Sequence, residues 1–199
     1  MGKPLLNEAE RFLLDHWADA RLLEEAMESV REKYKQVYQW ITDAVTQAHP
    51  KLDAFRSYVT QFWGSGCIGF GRKAWPIGDP NWPSGLWVWD VRLELLATED
   101  SNAPSASIWV PKKKVELDLE TVRAAVHAAA KELLSPDELK ATIKEDSGDH
   151  LLWLPAPSKK DILDAFSKDD GQGMVTLFVS QFDLMARFIP VLDTAFRTA

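Results

Sequence analysis

The sequence predicts an α+β fold: a long N-terminal helix or helical hairpin, an antiparallel β-meander, and C-terminal helices packed on one face of the sheet. Three observations carry this expectation. The first 49 residues repeat apolar side chains at helical spacing, with no Gly or Pro between Leu5 and His49. From Gly64 to Val115 the chain turns to glycine, proline, tryptophan and alternating apolar residues. The remainder carries helix-start signatures ahead of apolar runs. At 199 residues, one continuous structural unit is expected, with a helical, coiled-coil-like region over 1–63 and an α+β body over 64–199.

In the N-terminal region the apolar positions run Leu6, Ala9, Leu13, Ala20, Leu23, Met27, Val30, Tyr34, Val37, Ile41, Ala44 and Ala48, with His16 as the polar exception. Alternating steps of three and four give the 3.5-residue period of a coiled-coil seam. One helix of this length spans about 65 Å, longer than a compact domain of this size. It therefore projects from the body or folds back near Glu28–Lys33, and the lack of a breaker residue favours projection. Positions flanking the seam are apolar near its ends (Leu5, Phe12, Trp17, then Tyr38, Trp40, Val45) and charged in its middle (Asp19, Glu24, Arg31, Lys33). A narrow apolar stripe asks for a single partner helix. His16 on the seam either sets register or keeps its polar tip wet, and the second is the plainer reading.

His49-Pro50 ends this region, and Leu52–Phe62 reads as a short helix. Strands are expected at Cys67–Lys73, Leu86–Ala97 and Ala106–Val110. In Leu86–Ala97, the residues Trp87, Trp89, Val91, Leu93 and Leu95 form one face, which is assigned to the core. Asp90, Arg92 and Glu94 lie on the other. Asp118 caps a helix to about Leu134, 135-SPDE-138 is a capping box with proline in the first turn, and 158-SKKD-161 repeats the form. Between the last two, His150–Leu154 is a short strand. A final helix carries Met174, Phe178, Phe182, Met185, Ile189, Leu192 and Phe196, with a kink at Pro190.

Composition narrows the function. The apolar fraction is 46% and the net charge −7, so the chain has material for a core but no basic surface for neutralising phosphates. The run Lys112-Lys113-Lys114 is a solvated turn, and nucleic acid is not the expected partner. A single cysteine, Cys67, rules out an internal disulfide and fits a reducing, cytoplasmic setting. No window has the apolar length of a membrane span, and Leu6 breaks the myristoylation pattern.

The segment 64-GSGCIGFGRK-73 imitates two phosphate-binding motifs. Gly64, Gly66 and Gly69 spell G-x-G-x-x-G, and Gly66 to Gly71 approach a P-loop. Both motifs need a helix to follow, because its N-terminus holds the phosphate. Pro76, Gly78, Pro80 and Pro83 forbid one, and Arg72 and Lys73 stand where Lys and Ser/Thr belong. His16, His49, His127 and His150 lack ligand spacing, so no metal or other cofactor is expected. Asp90 and Glu94 on one strand face, with Asp79 nearby, are the one candidate for a metal-dependent hydrolase or nuclease. The only E-x-K, Glu138-Leu139-Lys140, lies in an expected helix, and a charge pair with Arg92 explains the carboxylates more simply.

The expected role is therefore non-catalytic: protein–protein interaction or assembly, as a subunit of a larger bacterial complex. A protein partner or a second copy would dock through the N-terminal helix at His16, Met27, Val30 and Tyr34. Trp75 and Trp82, set among prolines, are expected to be exposed and form a second recognition surface, for protein or for a small ligand.

Overall fold

A computed structural model describes residues 7–56, 66–75, 84–98, 103–111, 117–142 and 149–198, with side chains for all but 54–56. The fold is α+β, with a long N-terminal helix, an antiparallel sheet and C-terminal helices.

The N-terminal region forms α1 (Glu8–Asp15) and α2 (Trp17–Ala48). Asn7 starts α1 through a capping box: its Oδ1 accepts from the Glu10 N–H at 2.9 Å, and Glu10 Oε2 accepts from the Asn7 N–H at 2.7 Å. The helix is interrupted at His16 (φ −115°, ψ 29°). From there α2 runs for 32 residues, about 48 Å, with no fold-back at Glu28–Lys33. It stops where Pro50 disfavours helical backbone at His49 (φ −126°, ψ 73°), and His49 Nε2 lies 2.7 Å from Asp183 Oδ1.

Five strands form an antiparallel meander in chain order: β1 (Asp53–Arg56), β2 (Cys67–Gly71), β3 (Gly85–Trp89), β4 (Ser105–Trp109) and β5 (His150–Leu154). Two expectations need correction. Asp53–Arg56 is a strand rather than part of a helix, because β1 completes the edge of the sheet beside β2; residues 57–62 lie outside the described set. The strand expected over Leu86–Ala97 ends at Trp89. Asp90 turns to φ 60°, which aspartate tolerates better than most residues, and α3 (Leu93–Leu96) follows.

The C-terminal start signals act as read. The Thr121 N–H donates to Asp118 ahead of α4 (Leu119–Leu133). Reciprocal capping boxes at Ser135 with Glu138 and at Ser158 with Asp161 open α5 (Pro136–Ala141) and α6 (Lys159–Phe166). A 3₁₀ turn, Asp169–Gly171, leads into α7 (Gln172–Ala186). Gly171 has φ +90°, and a Cβ there would lie 2.4 Å from Val37 Cγ2; glycine thus lets α7 begin directly against α2. The final helix, α8 (Ile189–Thr198), is bent 43° from its predecessor. The break precedes Pro190, which takes a first-turn position where its missing N–H costs nothing. Among the described residues, no single helix is long and apolar enough to cross a membrane.

Strand register sorts the sheet into two faces. Ile68, Val88, Ala106 and Leu154 form one row across the strands, and Phe70, Leu86, Ile108 and Leu152 the next. These rows join Tyr38, Phe178, Phe182 and Leu192 of the helices in the core, with the Phe70 and Phe182 rings 4.6 Å apart, edge to face. The opposite face carries the row Gly69, Trp87, Ser107, Trp153. Trp87 and Trp89 thus face away from the helices, contrary to their assignment to the helix-covered core.

Candidate functional site

The seam splits at Tyr34. From that residue onward, Tyr34, Val37, Tyr38, Ile41 and Val45 are buried. Before it, Phe12, Trp17, Leu22, Leu23, Met27 and Val30 stand in solvent, from 65% exposed at Trp17 and Leu23 to 41% at Val30. Clusters of this kind mark docking surfaces in soluble chains. His16 lies at the same end, with its ring 4.4 Å from Phe12 and Nδ1 3.8 Å from Asp19. Of the seam residues expected to meet a partner, His16, Met27 and Val30 are therefore accessible. Tyr34 is not: it lies in the core against Phe166. The heptad period continues through it without change; in the sequence only the flanks, charged at Arg31 and Lys33 and apolar from Tyr38, accompany the onset of burial.

Two contacts fix the point where the helix leaves the body. The Tyr34 and Tyr38 hydroxyls lie 2.8 and 3.0 Å from the carbonyl oxygen of Val91. One turn earlier, Arg31 Nε donates to Glu94 at 3.1 Å, and Arg92 Nε donates to the other carboxylate oxygen at 2.9 Å. Partial burial pushes the Glu94 carboxyl up. Its own backbone N–H and the two guanidiniums outweigh this and hold it below the usual carboxylate range. Asp90 and Glu94, expected to share a strand face, stand instead on a left-handed turn and a helix. Glu94 is a clamp between two arginines. Among the described residues, no group of three or more His, Cys, Asp or Glu converges as a metal site requires; Asp79 lies outside them.

Within the glycine-rich segment, Cys67–Gly71 is the strand β2 and not a loop leading into a helix, as a phosphate cradle requires. Gly69 sits mid-strand in β2, beneath Trp87. Arg72 forms an ion pair with Asp193 of α8. The same carboxylate accepts from Trp75 Nε1 at 2.8 Å, and the indole packs on Phe196. The expected exposure of Trp75 is corrected accordingly: it is 3% exposed, a latch between the end of β2 and α8. Neighbouring prolines suggested a surface loop, but an acceptor on a distant helix draws the ring inward. Trp82 and the lysines at 112–114 lie outside the described residues.

The far face of the sheet holds a cluster that the sequence did not single out. Trp87 and Trp89 stack at 5.1 Å, and Trp109 meets both edge on. His150 stacks on Trp153 at 3.9 Å. Trp89 Nε1 donates to Ser107 Oγ at 2.8 Å, and that oxygen lies 2.9 Å from His150 Nδ1. Burial holds the His150 pKa down at about 4, with Asp149 opposing. The imidazole is thus neutral near pH 7, and Ser107 can accept from the indole while donating to Nδ1. Ser107 is fully buried, so its hydroxyl serves this relay rather than attack on a substrate. The alternation in 105-SASIW held part of the signal, since it places Ser105, Ser107 and Trp109 on one strand face; His150 and Trp153 would alternate to opposite faces of a regular strand and meet through the register shift of β5 against β4 between Ile108 and Trp109.

No family model, curated protein or solved structure matches the chain.

Proposed function

We propose that this protein is a non-catalytic assembly module that engages another protein surface through its projecting N-terminal helix. The observation supporting this reading is the run of exposed large apolar side chains from Phe12 to Val30, on a helix whose burial begins only at Tyr34. Burying such side chains is worth roughly 1.5–3 kcal/mol each, which makes the helix a strong anchor for a complementary surface. The Arg31–Glu94–Arg92 clamp and the Tyr34–Val91 contact hold its base rigid, reducing the ordering cost of docking.

The test is the double variant Leu23→Glu, Met27→Glu. Both sites are exposed, so circular dichroism and the unfolding midpoint should match wild type. Association measured by sedimentation, and complexes recovered from the native host, should be lost. Unchanged association in both measurements would overturn the reading.

A further inference from the structure

The occupant of the helix can be named from its own charge pattern; this step rests on the assembly reading above. We propose that the projecting helix pairs antiparallel with the same helix of a second copy of this chain, about a two-fold axis beside Ala26.

Four seam residues of α2 precede the buried stretch: Ala20, Leu23, Met27 and Val30. At Tyr34 and Val37 the seam enters the core. A pairing that uses all four is centred on their midpoint, Glu25. In antiparallel order, Ala20 then layers on Val30 of the second copy and Leu23 on Met27, each repeated by symmetry.

The flanking rows decide the orientation. One flank carries Phe12, Asp19, Ala26, Lys33 and Trp40 at seven-residue intervals. The helical phase survives His16: its N–H donates to the Phe12 carbonyl at 3.1 Å, and its carbonyl accepts from Ala20 at 2.9 Å. Antiparallel pairing sets Asp19 against Lys33 of the second copy, twice. It sets Ala26 against itself on the axis, a small residue where the helices approach. On the second flank, Trp17 approaches Arg31, whose guanidinium Glu94 holds in place; this is a cation–π geometry. Parallel, in-register pairing does the reverse. It faces Asp19 with Glu24 in both copies, offers no opposite-charge pair, and crowds the two bodies at one end. The antiparallel arrangement has one cost: Glu24 meets its symmetry mate.

Sedimentation over a range of concentrations tests this with charge swaps on the exposed helix. Wild type should show a reversible monomer–dimer equilibrium. Asp19→Lys turns two attractions into two repulsions and should weaken dimerisation by about tenfold. The pair Asp19→Lys, Lys33→Asp should restore it, and Glu24→Gln should tighten it. If Asp19→Lys strengthens the dimer, the helices pair in parallel and the proposal is overturned. A protein that stays monomeric throughout also overturns it. In that case a host complex that depends on Leu23 and Met27 would leave the assembly reading standing, and the lack of one would remove both.

Discussion

Trp87 lies across the backbone of Gly69. A Cβ built at Gly69 would fall 2.5 Å from Cε3 and Cζ3 of the indole, and the ring is fully buried. Neither group can yield easily, since Trp87 also stacks on Trp89 and meets Trp109. Gly69→Ala should therefore destabilise the protein by about 2 kcal/mol through overpacking, read as a lower urea midpoint with an unchanged slope. An unaltered midpoint would mean that the indole moves freely.

This contact also marks what the sequence could and could not convey. Local signals were legible because their physics is local. The caps at Asp118, Ser135 and Ser158 each satisfy N–H groups within three residues, and the seam of α2 is a period along one helix. The phosphate motifs fell to the prolines beside them. Misread features depended on partners far along the chain. Asp53–Arg56 takes its strand geometry from β2, and Trp75 is drawn inward by Asp193, 118 positions away. The chain leaves β3 at Asp90, and both tyrosines that donate to the Val91 carbonyl belong to α2. The end of the free seam at Tyr34 is likewise a tertiary fact.

That carbonyl gives a second prediction. Tyr34 and Tyr38 lie 3.0 Å apart at their hydroxyls and both reach Val91, a residue with no solvent exposure. Tyr34→Phe alone leaves Tyr38 as donor and should cost about 1 kcal/mol. Tyr34→Phe with Tyr38→Phe removes both hydroxyl donors, and the loss should exceed the sum of the single losses by on the order of 1 kcal/mol. A double-mutant cycle by chemical denaturation measures the coupling, and strict additivity would count against a shared acceptor.

Asp193 separates charge from hydrogen bonding at the latch. Its carboxylate serves the Trp75 indole and the Arg72 guanidinium together. Asp193→Ala leaves a buried N–H and a half-buried cation without their acceptor and should cost about 2–3 kcal/mol. Asp193→Asn keeps an oxygen for the indole, so its loss should be smaller. Trp75 should also become accessible to acrylamide quenching in the alanine variant, compared against a Trp75→Phe control. Equal stability losses in the two Asp193 variants would show that the indole bond contributes nothing.

His150 sets a pH dependence whose sign follows from its surroundings. Burial among Trp89, Ser107 and Trp153 lowers its pKa from 6.5 to about 4, and the Asp149 carboxylate offsets only part of this. Above pH 6.5 the imidazole is neutral in both the folded and the unfolded chain, so it adds no slope. Between 6.5 and about 4 the unfolded chain binds a proton that the folded chain refuses, and stability falls as the pH drops. Below about 4 both forms are protonated and the loss is complete. His150 is only partly buried, so solvent screening reduces the effect to about 2 kcal/mol. The carboxylates of Asp118, Glu138 and Asp161, held low by their helix-capping bonds, also weaken the fold in acid. They do so equally in a His150→Asn variant, so the difference between the two stability curves isolates the imidazole. That difference should change between pH 6.5 and 4 and be flat above 7, and imidazole NMR shifts should report a midpoint near 4. A midpoint near 6.5, or a flat difference throughout, would show that the ring is solvated and that the Trp89–Ser107–His150 relay does not hold it neutral.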